Sequence, residues 1–189
     1  AYMAANLALN NKQADLTRNI ILNRNKSDEY LHTPVWDFEM GFARLYHLEL
    51  PEATSCMERF VSSFKGKFYL KDAYQKLSWC YYLQGNMQAA EAARKNVLSL
   101  GATDSDADKQ ALKDAQSGRW PNVLLLKTRL LNDGGYHHDA LALLHGKTER
   151  DFTREEEKLE FVYRMGRIYD DLGRDAEAVT FYQQAIRIG

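Results

Sequence analysis

Apolar residues recur three and four positions apart along most of the chain, and the stretches that carry this pattern come in pairs. Near the C-terminus, Val162, Met165 and Tyr169 are followed, after a short polar break, by Phe181 and Ala185. A spacing of three and four places side chains on one face of an α-helix. The pattern therefore predicts an all-α fold of antiparallel helical hairpins.

A small residue in the first helix of each pair is followed by an alanine in the second at a constant separation. The four pairs are Gly41 and Ala53, Ser78 and Ala90, Thr128 and Ala140, and Gly166 and Ala178, each 12 positions apart (53 − 41 and 178 − 166, for example). Three pairs also have a glycine five residues before the alanine, at Gly85, Gly135 and Gly173. Small residues let two helices cross closely, and glycine takes the left-handed conformation that closes a helix. The frame therefore predicts four hairpins of similar construction.

Two of these segments resemble the tetratricopeptide repeat. Residues 161–169, FVYRMGRIY, continue into LGRDAEA at 172–178, and residues 73–81, AYQKLSWCY, continue into GNMQAA at 85–90. The other two segments depart from the family pattern, because Arg44 stands where the family usually has tyrosine, and Lys127 and Thr128 replace its usual leucine and glycine. The resemblance implies a right-handed α-solenoid.

The expected solenoid is a single domain over residues 1–189, with about four repeats, a truncated N-terminal hairpin and one inserted helix. Successive small residues lie 37, 50 and 38 positions apart, against about 34 in the family, and the long middle step predicts the insertion. The expected hairpins cover about 1–27, 34–66, 70–101, 121–146 and 155–189, and the inserted helix about 104–117. Because the chain stops directly after a second helix, we expect further repeats or caps beyond it, and self-association through uncapped ends.

Composition narrows the function. Lys and Arg number 25 against 26 Asp and Glu, a balance that argues against a nucleic-acid binder and against a polybasic membrane anchor. No run approaches the roughly 18 apolar residues of a membrane span. Two cysteines, Cys56 and Cys80, are too sparse for a disulfide framework or a zinc site, and each is interpreted as a buried thiol.

The only histidine cluster is His137, His138 and His145, in which the last two lie seven residues apart beside Asp139. A metal site requires ligands on one face with a carboxylate nearby. Because the cluster falls at a hairpin turn and the short helix after it, we interpret its members as solvated turn residues.

The segment DSDAD at 104–108 resembles the opening of a calcium loop. Lys109 stands where such a loop requires glycine, and Ala115 where it ends on glutamate. The acidic segment is therefore interpreted as a helix N-cap. No motif of an enzyme is present, and we expect no catalytic residue, cofactor or metal.

The resemblance also implies a concave groove lined by the first helices, faced by the residues three before, one after and four after each small residue. These twelve positions are Phe38, Phe42, Leu45, Gln75, Trp79, Tyr82, Leu125, Arg129, Asn132, Tyr163, Arg167 and Asp170. The leading hypothesis is a non-enzymatic scaffold that binds a peptide or a partner protein there, without nucleic acid and without direct membrane insertion. The alternatives are a small-molecule or glycan module that uses the aromatic positions, and a structural spacer in a larger protein. Packing of Phe38, Phe42 and Trp79 against the neighbouring hairpin is the alternative to ligand contact.

Arg129 and Arg167 each directly follow the small residue of their helix. Equivalent positions on adjacent hairpins lie on the same face. The two guanidinium groups are therefore expected to contact an anionic group of a ligand in the groove. The alternative is local pairing, with Asp133 for Arg129 and with Asp170 or Asp171 for Arg167.

Overall fold

The computed structural model describes residues 2–27 and 34–189. Across these residues the chain forms eleven α-helices and one short 3-10 turn, with no strand, so the predicted all-α fold is confirmed. The helices fall into two compact units, Ala1–Trp120 (unit 1) and Pro121–Gly189 (unit 2). The first residue of the expected hairpin 1–27 lies outside the described residues, and the expectation of one solenoid over 1–189 stays a prediction.

Unit 1 contains three hairpins and one further helix. Its helices are α1 (Tyr2–Asn10), α2 (Ala14–Ser27), α3 (Pro34–Tyr46), α4 (Leu50–Ser63), α5 (Leu70–Leu83), α6 (Met87–Ser99) and α7 (Asp106–Gln116). Consecutive helices pair as α1 with α2, α3 with α4, and α5 with α6. The inserted helix predicted from the long middle step is α7, which packs against both α5 and α6.

Unit 2 contains two hairpins. Its helices are α8 (Val123–Asp133), α9 (His137–Leu143), α10 (Glu155–Asp171) and α11 (Asp175–Ile188), with the 3-10 turn Glu149–Asp151 before α10. Helix α10 packs against α8 and α9 as well as against its partner α11. The neighbouring hairpins of this unit therefore stack through their first helices.

The small residues of the repeating frame lie where the paired helices approach closely. A Cβ atom added to Gly166 would lie 2.7 Å from the ring of Tyr182 on α11, and one added to Gly41 would lie 2.8 Å from the terminal methyl of Met57 on α4. The close crossing predicted at Gly166 is confirmed, and the side chain that lies against this glycine belongs to Tyr182.

The turns inside the hairpins share one backbone conformation. Gly85, Gly135 and Gly173 have φ angles of 79°, 91° and 68°, as expected for left-handed residues that close a helix. Leu48 occupies the equivalent position of the first full hairpin and takes a φ of 59° despite its side chain. The turn geometry is therefore kept where the glycine is missing.

Helix α7 is attached to the α5/α6 hairpin at both of its ends. The carboxylate of Asp108, which is fully buried, accepts hydrogen bonds from the backbone N–H groups of Tyr69 (2.7 Å) and Asp72 (3.1 Å) at the start of α5. At the other end, Arg94 of α6 donates to the carbonyl of Ala115 (2.7 Å). The predicted cap is confirmed, since Ser105 accepts from the N–H of Asp108, and Asp108 caps a second helix from a distant position.

Candidate functional site

The twelve predicted groove positions lie on the first helices α3, α5, α8 and α10, and they differ strongly in exposure. Phe42, Leu45, Gln75, Trp79, Leu125 and Asn132 are buried, Phe38, Tyr82, Arg129 and Arg167 are half-buried, and Tyr163 and Asp170 are exposed. Most of the buried positions belong to unit 1, and both exposed positions belong to α10 of unit 2. Access to these side chains therefore differs between the two units.

In unit 1, the aromatic positions are packed around a lysine. The ammonium group of Lys76 lies 4.7 Å from the ring centroid of Trp79 and 5.4 Å from that of Phe42, and it is held by the carboxylate of Asp72 at 2.6 Å. Phe42 also contacts the ring of Phe38, with 4.7 Å between the ring centroids. An ammonium group is attracted to the face of an aromatic ring, so these rings are occupied by contacts inside the unit.

The remaining positions on α5 contact α7 and the segment that follows it. The amide of Gln75 donates to Asp114 of α7 at 2.8 Å, and the ring of Tyr82 stacks on Trp120 with 4.8 Å between the ring centroids. Sequence analysis found the inserted helix but not these contacts. No signal in the sequence pairs residues about 40 positions apart.

In unit 2, Asn132 joins three helices and is not available at the surface. Its amide nitrogen donates to Asp171 of α10 at 2.8 Å, and its amide oxygen lies 2.8 Å from Nδ1 of His137 at the start of α9. The interpretation of His137 as a solvated turn residue is therefore wrong, because its ring is half-buried and hydrogen-bonded. His138 and His145 are exposed.

The two groove arginines have different surroundings. The Nε atom of Arg129 lies 3.7 Å from the carboxylate of Asp133, as the local-pairing alternative predicted. Arg167 forms no ion pair with any residue that the structure describes, and its guanidinium contacts the hydroxyl of Tyr163 at 3.4 Å. This contact with Tyr163 raises the pKa of Arg167, so the group remains cationic.

The acidic residues expected to pair with Arg167 are hydrogen-bonded elsewhere and form no salt bridge with it, although the charge of Asp171 also helps to raise the pKa of Arg167. Asp170 accepts a hydrogen bond from the hydroxyl of Tyr182 at 3.1 Å, and Asp171 accepts from Asn132. Burial, followed by the hydrogen bond to Asp170, raises the pKa of Tyr182 to about 12. Tyr182 therefore stays protonated as a donor, and the cation of Arg167 is left at the surface of α10.

Both cysteines are buried as free thiols, as the sequence predicted. Burial raises the pKa of Cys80 to about 12 and raises that of Cys56, so both remain thiols at neutral pH. Within the described ranges, no three or more His, Cys, Asp or Glu side chains are grouped to hold a metal ion. No helix in the same ranges combines the length and apolarity needed to cross a membrane.

The last helix leaves apolar side chains in contact with solvent. Val179 and Ile186 of α11 are 51% and 79% exposed. Self-association through such end helices, expected from the sequence, stays a prediction.

Residues 159–188 match the family model of the tetratricopeptide repeat. The matched segment covers α10 from Leu159 onward and nearly all of α11. Comparisons with curated proteins and with solved structures found no match. Repeats of this family generally mediate binding between proteins, and the family typically forms non-enzymatic scaffolds. The last hairpin of the chain is therefore similar to a tetratricopeptide repeat, and the three other full hairpins share its spacing between a small residue and an alanine.

Proposed function

We propose that this chain is a non-enzymatic scaffold that binds a peptide or a partner protein on the first helices of unit 2. The observation that carries the proposal is the surface of α10 formed by Tyr163, Arg167 and Asp170, named here the α10 face. Tyr163 is 42% exposed, and Arg167 is half-buried without an ion pair among the described residues. Tyrosine and arginine are enriched among the residues that dominate binding energy at interfaces.

The α10 face is held in place by its own contacts. Tyr163 lies against Tyr182 of α11, with 6.1 Å between the ring centroids, and the hydroxyl of Tyr182 is bonded to Asp170. Spacings of four and three residues along the helix keep Tyr163, Arg167 and Asp170 on one side. Side chains that are already ordered lose less conformational entropy when a partner binds, which supports this surface as a docking position.

At the equivalent positions, unit 1 leaves less side-chain surface accessible to a ligand. Phe42 and Trp79 are each only 6% exposed, and Lys76 already lies over both rings. A glycan or small molecule that stacked on these rings would first have to displace Lys76 from Asp72. The burial therefore favours a partner bound on unit 2 over a small ligand on the aromatic positions of unit 1.

Partners are first captured on the whole chain and identified by mass spectrometry. The affinity of each purified partner for the chain is then measured. Arg129→Glu combined with Arg167→Glu should weaken binding at least about tenfold, since the charge at both groove positions is reversed. The wild-type affinity should fall as salt rises. Arg187→Glu, on the exposed C-terminal turn of α11, is the matched control and should bind normally. Unaltered affinity of the double variant, with normal helical content, would overturn the proposal.

A further inference from the structure

The loop between α4 and α5 leaves two neighbouring aromatic side chains in contact with solvent. Phe68 and Tyr69 are 52% and 50% exposed, and residues 65–67 before them are exposed as well. The ring of Phe68 stacks on no other ring that the structure describes. A single exposed apolar side chain is ordinary, whereas a group of them on one surface is typical of a binding site. The surroundings of this pair therefore decide whether it can bind a partner.

Hydrogen bonds to two neighbouring segments hold the backbone of this loop. The carbonyl of Lys67 accepts from the N–H of Ala102, which follows α6, at 2.8 Å. The N–H of Tyr69 donates to the buried carboxylate of Asp108 on α7 at 2.7 Å. Exposed side chains on a fixed backbone lose less conformational entropy when a partner binds, so the loop is suited to recognition.

The backbone of Tyr69 takes an unfavourable conformation. Its φ angle is 60°, in the left-handed region that residues with a side chain seldom adopt and that glycine adopts freely. One side of the ring packs near Phe38, with 6.0 Å between the ring centroids, and half of the side chain stays exposed. Strained backbone of this kind is often found at binding sites, which supports a role for the exposed half of the ring.

The end of α6 adds a third apolar side chain beside the loop. Leu100 is 40% exposed and directly precedes Gly101, where an added Cβ atom would lie 3.1 Å from the carbonyl oxygen of Lys67 and 3.0 Å from the Cβ atom of Leu70. This close approach places Leu100 next to the exposed loop. The exposed apolar side chains and the lysines of the loop are together named the loop patch, and its members are Lys65, Lys67, Phe68, Tyr69 and Leu100.

The charges around the loop patch indicate the chemistry of its partner. Lys65 and Lys67 form no ion pair and no side-chain hydrogen bond with any residue that the structure describes. Two cations beside exposed rings are complementary to carboxylates that flank apolar side chains. The start of α7 nearby carries the exposed carboxylates of Asp104 and Asp106, which would repel a uniformly anionic surface such as a bilayer or a nucleic acid. The mixture of charges therefore favours a protein segment.

We propose that the loop patch binds an acidic segment of a partner protein. Apolar side chains of that segment cover Phe68, Tyr69 and Leu100, and its carboxylates pair with Lys65 and Lys67. Burial of the rings supplies most of the affinity, and the lysines select against basic and neutral segments. The loop patch belongs to unit 1, so it is a second docking position that does not depend on the α10 face of unit 2.

The test titrates the whole chain, labelled with ¹⁵N, with a synthetic peptide in which leucines are separated by glutamates. Backbone amide resonances are followed by ¹H–¹⁵N correlation spectra. We expect saturable shifts at residues 65–69 and at Leu100, and an affinity that falls as salt rises. Two matched peptides, one with lysine in place of glutamate and one with serine in place of leucine, should each bind at least about tenfold more weakly.

Variants of the exposed side chains assign the binding to the loop patch. Phe68→Ser should weaken binding of the acidic peptide at least about tenfold, and Lys65→Glu combined with Lys67→Glu should weaken it by a similar factor. Because these side chains are exposed, the melting temperature should stay nearly unchanged. Lys113→Glu is the control, since Lys113 is an exposed lysine of α7 that also lacks an ion pair among the described residues, and its affinity should equal that of the wild type.

The proposal is overturned if the acidic peptide gives no saturable shift at the loop patch, or if Phe68→Ser or the double lysine variant binds it as tightly as the wild type. Vesicles of phosphatidylcholine and phosphatidylserine in equal parts test a membrane as the alternative. Sedimentation of the chain with these vesicles that is lost in Phe68→Ser, without binding of the peptide, would assign the loop patch to lipid and likewise overturn the proposal. None of these results bears on the α10 face, because its residues lie in unit 2.

Discussion

The two units use the same positions of their first helices for different purposes. In unit 1, Phe42 and Trp79 are buried around Lys76, and Gln75 is bonded to α7. In unit 2, Tyr163 is exposed and Arg167 keeps a charge without an ion pair among the described residues. The position of a residue in the repeat therefore determines the helix face on which it lies. The neighbouring elements determine whether that face is buried.

Part of the difference in unit 1 comes from α7, which contacts Gln75. This helix packs on α5 and α6, and its Asp108 caps the start of α5 while its Asp114 accepts from Gln75. In unit 2, Ile186 on the last helix is 79% exposed, so no described residue covers it. Three sets of substitutions test this comparison between packed and open positions.

The largest effect is expected from removal of the buried ring in unit 1. Trp79→Ala should lower the free energy of unfolding by about 4 kcal/mol, because it leaves a cavity beside Lys76 and Phe42. Tyr163→Ala, which removes an aromatic ring from the α10 face, should cost less than about 1 kcal/mol, because much of the ring is in solvent. Urea unfolding followed by circular dichroism measures both. Equal losses in the free energy of unfolding would contradict the proposed difference in burial between the two units.

A smaller effect is expected from loss of the cap that attaches α7. Asp108→Ala should destabilise unit 1 by about 3 kcal/mol, because the N–H groups of Tyr69 and Asp72 then lose their buried acceptor. Asp106→Ala, a change of an exposed carboxylate in the first turn of the same helix, should cost less than about 0.5 kcal/mol. The comparison by chemical denaturation would fail if the two variants unfolded at the same urea concentration.

The smallest effect is expected from substitutions that compare one helix crossing in each unit. Gly166→Ala should cost about 2 kcal/mol, because its Cβ atom would meet the packed ring of Tyr182. Gly41→Ala should cost less than about 1 kcal/mol, because the atom it would meet is the flexible end of Met57. Thermal unfolding of both variants provides the measurement, and a larger loss for Gly41→Ala would show that the crossing in unit 1 is the tighter one.

Several features of the fold could be predicted because they depend on neighbouring residues. The spacing of apolar positions located the helices, and the surplus residues between Ser78 and Thr128 predicted α7. The close approach at Gly166 followed from its place in the frame. The candidate groove residues were harder to predict, because burial of Phe42 and Trp79 depends on Lys76 and on the elements around them. Asn132 was expected in the groove but is used to join α8 with α9 and α10.

The sequence by itself determined the helices, the left-handed turns at the glycines and the spacing that the hairpins share, since each depends on side chains within a few positions of one another. Only the tertiary structure decided that Asp108 caps α5, 36 residues earlier at Asp72, and that Asn132 of α8 donates to Asp171 of α10. Such contacts join residues that are distant along the chain. Their geometry depends on how whole helices pack, and a single sequence contains no local signal for it.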